Sequence, residues 1–286
     1  MFLAVITSKV RKELNSLGFC GYQDLEFAKS KCGIYFFRCM MEGIFYTVRF
    51  YDNGKADLIA NDYINLKLEG VSVTEIIAYS KYVIVTQDYE ENGEFKFLSL
   101  ENLKSEIIVK NLATLCRKLC YVEGSSFQNF NNCFGIGTIG VISKKLNVKN
   151  NKVLNYVIDN FDNINYKLNK LEKSVIFLGI SRGNLFISDD KNTIVIDIVD
   201  EVFYGYRYRS VEMFLNMLDD DGKMAFLNEF GLINEEEVLM DKLIDCLFHL
   251  YRASMGDVPL AYTNKYLEKI NNENLFDVVR NIVDWH

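Results

Sequence analysis

The periodicity of this sequence changes near Glu94, and that change most constrains the possible folds. Upstream, segments rich in β-branched and aromatic residues alternate with turn signals, which is typical of strands. Downstream, apolar residues recur mostly at helical spacing. With 286 residues, 49% of them hydrophobic, the chain can bury a sizeable core. We therefore predict an α+β protein with a small strand-rich N-terminal region and a larger, mainly helical C-terminal region.

Turn signals divide the strand-rich region into a definite order of elements. The pattern predicts a short helix, a hairpin, a second helix and two further strands. In chain order these elements lie at 5–17, 33–40 with 44–51, 56–68, 73–78 and 82–86. A polar segment at 87–93 then marks a surface connection.

The helical region has one interruption that matters. Its helical periodicity covers residues 103–120, 153–171, 210–229, 235–255 and 262–285. Between the second and third of these segments, residues 174–197 contain two short apolar runs separated by a turn at 189–192, which predicts a hairpin. Glycines recur at 135–140 without a βαβ pattern around them, and this segment predicts a loop.

Composition disfavours several classes of partner. The formal net charge is −7, which argues against sequence-independent binding to nucleic acid or to anionic membranes. The seven cysteines form no CxxC pair and the sequence has two histidines, so zinc-site spacing is absent. The first apolar run precedes basic residues, the reverse of a signal peptide, and no apolar stretch reaches membrane-spanning length. We expect a cytoplasmic protein with reduced thiols, no nucleic-acid partner and no membrane insertion.

This order of elements resembles that of the aminoglycoside phosphotransferase and choline kinase-like family, which shares the protein-kinase architecture. The resemblance implies a two-lobed protein-kinase-like fold, with a β-rich N-lobe at 1–90 and a mainly helical C-lobe at 91–286 that carries a catalytic-loop-like hairpin at 174–200. It also implies ATP and Mg²⁺ as ligands, and transfer of a phosphoryl group to a small-molecule hydroxyl as the reaction.

Two residues match the metal ligands of that family in order and spacing. Asn184 follows Arg182 and Gly183 and precedes a strand, and Asp197 closes the next strand after the turn. The resemblance implies that these two residues hold the magnesium ions that bridge the nucleotide phosphates. Taken singly, Asn184 is equally typical of a turn cap and Asp197 of a strand end.

The position of the general base departs from the family pattern. The family carries an aspartate five residues before the metal-binding asparagine, and that position is Gly179 in this chain. Its neighbours Phe177 and Leu178 have no group that accepts a proton. The resemblance therefore implies a phosphotransferase fold without its usual base, and we predict no catalytic residue in this loop.

The nucleotide-binding residues are predicted by position in the fold. Arg49 stands where the family has a lysine, and Asp62 on the following helix is its predicted acidic partner; the alternative is an ordinary surface ion pair. Lys31 lies near the predicted nucleotide-covering loop, although such a charge is more often simply solvated. Thr86 and Gln87 mark the predicted hinge, which receives adenine through backbone hydrogen bonds.

A tract rich in tyrosine and arginine follows Asp197. Arg207 and Arg209 alternate with tyrosines in it, and the two arginines are candidate contacts for an anionic ligand. The equally weighted alternative is that they stack on the tyrosines as local packing.

Three functions remain open on the sequence. The first is a catalytically impaired kinase homologue, a pseudokinase, that retains binding to nucleotide or metal and acts through a protein partner. The second is an active ATP-dependent phosphotransferase with an altered catalytic loop, because positioning and metal electrostatics supply most of the catalysis in phosphoryl transfer. The third is a scaffold that binds no nucleotide.

Overall fold

The computed structural model describes residues 2–31, 33–124, 127–130, 134–190, 193–256 and 259–285. These residues form two units, each discontinuous in sequence. The first unit comprises Met1–Phe127, Phe177–Val202 and Met213–Phe230, and the second comprises Gln128–Ile176, Phe203–Glu212 and Gly231–His286. The lobe boundary at residue 90 stays a prediction.

Strands and helices follow one another in an order close to the predicted one. The strands are β1 (Gln23–Lys31), β2 (Ile34–Met41), β3 (Ile44–Tyr51), β4 (Ile76–Tyr79), β5 (Val83–Gln87), β6 (Phe95–Phe97), β7 (Gln128–Asn129), β8 (Lys173–Phe177), β9 (Leu185–Ser188), β10 (Ile194–Ile196) and β11 (Val202–Tyr206). The helices are α1 (Phe2–Ser16), α2 (Ala56–Leu68), α3 (Glu106–Leu119), α4 (Ile136–Lys145), α5 (Lys152–Asp159), α6 (Phe161–Lys170), α7 (Arg207–Leu215), α8 (Asp220–Phe230), α9 (Glu235–Met255), α10 (Leu260–Ile270) and α11 (Glu273–Asp284).

The main sheet of the first unit is antiparallel and has the strand order β1-β2-β3-β5-β4. Because side chains alternate between the faces of a strand, each strand contributes to two different environments. One face packs against α1, where Ile6, Val10 and Leu14 contact a buried apolar layer. That layer contains Phe37, Cys39, Tyr46, Val48, Phe50, Val83 and Val85. The other face of the sheet carries Arg49 on β3, whose cross-strand neighbours are Phe36 on β2 and Ile84 on β5.

The predicted hairpin within 174–200 is confirmed as β9 and β10, which pair antiparallel and extend through β6 into a small sheet. Residues 191 and 192 of the predicted turn lie outside the described residues. The strand β10 also contacts the segment before β4, because Ile196 donates its N–H to Ser72 O and accepts from Thr74 N–H, both at 2.9 Å. This backbone contact brings Asp197 beside Thr74.

The second unit is organised around the long helix α9, which contacts α4, α10 and α11. A small sheet with the order β7-β11-β8 belongs largely to this unit. Gly205 on β11 is required by packing, since a Cβ there would lie 2.9 Å from both Ile176 Cδ1 and Phe130 Cβ. Among the helices of the described residues, none is long and apolar enough to cross a bilayer.

Three of the predicted helices are wrong in their extent. The helix predicted at 153–171 is interrupted at Asn160, the one at 210–229 between α7 and α8, and the one at 262–285 at Asn271 and Asn272. Polar side chains satisfy the helix ends at these breaks: Asp219 accepts from Gly222 N–H and Asn272 from Asn274 N–H, both at 2.9 Å. The loop predicted at 135–140 is also wrong, because residues 136–140 form the first part of α4.

Candidate functional site

A buried ion pair joins the main sheet to the end of the hairpin. Arg49 is 5% exposed and its Nη2 donates to both Oδ1 and Oδ2 of Asp197, at 2.7 Å each. Its Nη1 donates to Thr86 Oγ1 at 2.9 Å. Thr74 Oγ1 donates to Asp197 Oδ1 at 3.3 Å. Both oxygens of Asp197 are therefore held by donors from the first unit itself.

The charge of Arg49 is maintained despite its burial. Burial, the largest single influence, lowers the pKa of the Arg49 guanidinium, but the charge and hydrogen bond of Asp197 together with nearby Tyr51 and Tyr63 outweigh it, so the pKa is raised. A charged pair that is removed from water needs such close geometry to repay its lost hydration. Breaking the pair by removing one partner would leave an uncompensated buried charge, so these two residues depend on each other.

Two tyrosines hold the segment after the hairpin, one through its backbone and one through a side chain. Tyr63 on α2 donates its hydroxyl to Asp197 O at 2.8 Å and accepts from Val199 N–H at 2.6 Å. Tyr51 on β3 donates to Asp200 Oδ1 at 2.9 Å. We refer to Arg49, Tyr63, Thr74, Thr86 and Asp197 as the Asp197 cluster. Its members come from two strands, a helix, a loop and the hairpin, so the cluster fixes the start of segment 197–200 relative to the sheet.

Asn184 lies next to Asp197 through the backbone. Asp197 donates its N–H to Asn184 O at 2.8 Å. The Asn184 side chain closes its own turn, because its Oδ1 accepts from Ser181 N–H at 3.3 Å and from Ser181 Oγ at 3.0 Å. The structure thus brings the two predicted metal ligands together, and in this arrangement Asn184 also has the turn-capping role that its sequence context allows.

Gly179 occupies a turn after β8. Ile180 donates its N–H to Phe177 O at 3.2 Å, and Gly179 has a φ of +82°. A left-handed backbone of this kind disfavours residues that carry a Cβ. The position is exposed, and a Cβ at this point would meet no atom within 4 Å. Conformation rather than crowding therefore favours glycine here.

Solved structures similar to this chain exist, whereas comparisons of its sequence found no relative. No protein-family model matches this chain, and no curated protein matches it. A choline kinase from Streptococcus pneumoniae is similar with a TM-score of 0.61 and 11% identity, and the match covers 99% of both chains. A choline/ethanolamine kinase family protein from Mesorhizobium loti is similar with a TM-score of 0.59 and 15% identity over 99% of both chains.

A third match points the same way. A spectinomycin phosphotransferase has a TM-score of 0.59 and 10% identity, covering 96% of this chain and 98% of the other. This chain has the fold of the choline kinases and aminoglycoside phosphotransferases. The predicted protein-kinase-like α+β fold is therefore confirmed, and the resemblance holds for the fold alone, because identities this low carry the fold and not the activity.

In this kinase-like fold the Asp197 cluster does not fit a magnesium ion as it stands. Mg²⁺ requires oxygen ligands at about 2.0–2.1 Å in octahedral geometry. The two oxygens of Asp197 face a guanidinium, and Oδ1 of Asn184 accepts from Ser181. Among the described residues, no group of three or more histidine, cysteine, aspartate or glutamate side chains could hold a metal ion. The metal-binding role of Asn184 and Asp197 stays a prediction.

The predicted pairing of Arg49 with Asp62 is wrong, because the guanidinium binds Asp197 and Thr86 instead. Asp62 is partly buried on α2, and burial raises its pKa to about 7. Asp62 and Tyr63 are consecutive residues of α2, so their side chains point in different directions from the helix axis. It is the tyrosine that contacts segment 197–200.

The other predicted nucleotide contacts differ in accessibility. Thr86 is buried, and its hydroxyl is taken by Arg49. Gln87 is partly exposed and donates to Glu94 Oε1 at 3.1 Å. Lys31 is exposed at the end of β1. Nucleotide contact by these residues is not tested by the structure and stays a prediction.

Sequence reasoning missed a second polar group on the same sheet face. The buried side chain of Asp88, just after β5, accepts from Arg38 Nε at 2.8 Å and from Thr47 Oγ1 at 3.0 Å. Arg38 and Thr47 lie opposite each other on β2 and β3. The alternation of these strands placed Arg38 and Arg49 on one face, and that signal was available in the sequence.

The two candidate anion-binding arginines lie in the second unit and have carboxylate partners. Arg209 Nη2 lies 2.9 Å from Asp245 Oδ1 and 3.1 Å from Asp241 Oδ2. Arg207 pairs with Glu172 and with Glu237, the latter at 2.9 Å. The alternative, that these arginines pack on the neighbouring tyrosines, stays a prediction as well. A bound anion would have to displace these carboxylates, and the anion-binding role stays a prediction.

Proposed function

We propose that this chain is a catalytically impaired kinase homologue that acts by binding a protein partner. The observation that carries this proposal is Gly179, which stands five residues before Asn184 in a kinase-like fold. Small-molecule kinases and phosphotransferases share the fold, so a phosphoryl-transfer ancestry is supported. The missing side chain supports loss of the chemistry.

The local geometry supports the absence of a substitute base. A general base must lie within about 2.6–3.2 Å of the hydroxyl that it deprotonates. Gly179 has no side chain, Leu178 is apolar, and the nearby Ser181 hydroxyl donates to Asn184 Oδ1. A neutral serine hydroxyl that is already donating its proton is a poor base without an adjacent activating group.

The decisive experiment is an assay of phosphoryl transfer by purified protein. Radiolabelled ATP and Mg²⁺ would be supplied with choline, ethanolamine, an aminoglycoside and a macrolide, which are the acceptors that the structural relatives' names suggest. We expect product at the level of an Asp197→Asn control. Turnover of any acceptor that exceeds this control by tenfold or more would refute the proposal.

An active phosphotransferase is the second candidate, and one observation favours it. The backbone hydrogen bond between Asn184 and Asp197 keeps the two predicted metal ligands adjacent. Since positioning contributes much of phosphoryl-transfer catalysis, a base can be partly dispensable. This candidate requires that Asp197→Ala abolish turnover in the same assay.

ATP and Mg²⁺ are the ligands that a kinase-like fold makes plausible. A ligand that binds the native state raises the apparent stability of the protein, so thermal denaturation with ATP, with and without Mg²⁺, tests them directly. A rise in melting temperature with ATP supports a nucleotide-binding pseudokinase. Unchanged melting temperatures at millimolar ATP support the third candidate, a scaffold that binds no nucleotide.

A further inference from the structure

We infer that Arg49 takes the place of a metal cation at Asp197, so that segment 197–200 is held in position without a divalent ion. This inference rests on the kinase-like ancestry in the proposed function. It goes beyond loss of the catalytic base, because it assigns a structural role to residues that the ancestry would assign to metal binding.

The coordination of Asp197 supports this assignment. One nitrogen of Arg49 lies 2.7 Å from each carboxylate oxygen, on the side where a bidentate cation would sit. Thr74 adds a donor to Oδ1. A metal ion at bonding distance from these oxygens would have to displace the guanidinium.

Electrostatics favour the guanidinium over a metal at this site. The side chains of Arg49 and Asp197 are 6% and 14% exposed, and together they are neutral. A divalent ion added here would lie close to a buried positive charge, in surroundings that screen repulsion poorly. Among the described residues, no group of three or more histidine, cysteine, aspartate or glutamate side chains adds further negative charge that would hold a metal ion at this point.

The neighbours of Arg49 fix its position on three sides. Thr86 accepts from Nη1, Asp197 accepts from Nη2, and the ring centroid of Phe36 lies 5.8 Å from Cζ. A planar guanidinium satisfies separate acceptors with separate nitrogens, whereas a lysine has a single nitrogen for the same task. The arginine in place of the family's lysine is thus explained by its contacts.

A permanent internal cation has a consequence for segment 197–200. Arg49 binds the side chain of Asp197, while Tyr63 binds the backbone at Asp197 and Val199. All of these contacts come from the protein itself. The position of the segment is therefore independent of metal supply, and chelators should leave it unchanged.

Thermal denaturation in Mn²⁺, with NaCl-matched controls, tests the inference. We expect the wild-type melting temperature to be unaffected by millimolar Mn²⁺ or by a chelator. In Arg49→Met the guanidinium is removed and Asp197 is freed, so Mn²⁺ should raise the lowered melting temperature in a saturable manner. The double variant Arg49→Met/Asp197→Asn should lose that response. Lys9→Met, which also removes a cation but frees only the exposed carboxylate of Asp52, is the control and should show no response to Mn²⁺.

Mn²⁺ binding to wild-type protein, measured by electron paramagnetic resonance, keeps the inference testable if Arg49→Met does not fold. Absence of binding supports it. Stoichiometric binding that Asp197→Asn abolishes would overturn it, as would a folded Arg49→Met variant that Mn²⁺ does not stabilise. ATP-dependent turnover would contradict the proposed function instead. Neither Mn²⁺ measurement detects turnover, so failure of the proposed function and failure of this inference are distinguishable.

Discussion

Tyr63 and Asp197 lie 134 positions apart and are joined by a hydrogen bond of 2.8 Å from the Tyr63 hydroxyl to the Asp197 carbonyl. The same hydroxyl accepts from the backbone N–H of Val199 at 2.6 Å. One side-chain oxygen therefore satisfies two backbone groups of segment 197–200. The tyrosine ring is itself 1% exposed and packs against Phe177.

Removing only this hydroxyl should be costly. In Tyr63→Phe the ring still fills its site, but the buried N–H of Val199 and the partly buried C=O of Asp197 lose their partner. We expect a loss of about 2 kcal/mol in the free energy of unfolding. Urea denaturation measures it. Tyr79→Phe, whose exposed hydroxyl contacts Asn61, is the control and should change stability by no more than about 0.5 kcal/mol. Equal effects of the two substitutions would contradict the bridging role of Tyr63.

The coupling between Arg49 and Asp197 should be large and insensitive to salt. Arg49→Met and Asp197→Asn should each cost about 3 kcal/mol or more, because each leaves a buried group unpaired. The double variant should cost less than the sum by about 1–3 kcal/mol. A double-mutant cycle in urea, repeated at low and high salt, gives this coupling energy.

The exposed pair of Lys96 and Asp189 is the matched control for that cycle. Lys96 Nζ lies 2.8 Å from Asp189 Oδ1, close to the 2.7 Å of the buried pair, but the side chains are 74% and 66% exposed. Its coupling should be below about 1 kcal/mol and should decline with salt. A similar decline for the pair of Arg49 and Asp197 would show that water reaches the buried pair.

Much of the main sheet was predictable because its core strands have a strong local signal. The strands β2, β3 and β5 alternate around buried aromatic and β-branched residues, and the predicted segments match them closely. The strand β1 was missed because it is mostly exposed and polar, and its pairing with β2 is what makes it a strand. Its existence depends on a neighbour rather than on its own composition.

The contacts within the Asp197 cluster were harder to predict than the residues that form it. Arg49, Thr86 and Asp197 were all identified as candidates, but pairing across 148 positions depends on how the hairpin meets the sheet. The sequence indicates Asp62 as the acidic partner only because it lies on the helix that follows Arg49. A single turn of α2 contains both Asp62 and Tyr63, and only the packed structure shows which of them faces segment 197–200.

The conformation of Gly179 predicts an order among substitutions. At a φ of +82° a Cβ is strained, so Gly179→Ala should lower the free energy of unfolding by about 1 kcal/mol. Asparagine tolerates left-handed backbone better, so Gly179→Asn should cost less than alanine. Gly183→Ala, four residues later and without a positive φ, is the control. If Gly179→Ala is as stable as wild type, the turn has a different backbone from the one described.

The ionisation of Asp62 should make stability depend on pH. Burial raises its pKa to about 7, whereas an unfolded aspartate has a pKa of about 3.9. The folded state therefore binds a proton more tightly than the unfolded state, and stability falls as pH rises from about 4 through 7. Because the side chain is only partly buried, we discount the full shift and expect a loss of about 1–2 kcal/mol.

Asp62→Asn removes this ionisation and should flatten that part of the pH profile. The variant should gain stability relative to wild type at pH 8 and lose the advantage near pH 4, where the wild-type carboxyl is protonated in the folded state. Urea denaturation at a series of pH values measures the difference between the two proteins. Asp57→Asn, in the first turn of the same helix, controls for the loss of one negative charge. A gain for Asp62→Asn that is equal at pH 4 and pH 8 would exclude ionisation as its cause, because a change in packing alone does not depend on the protonation of this carboxyl.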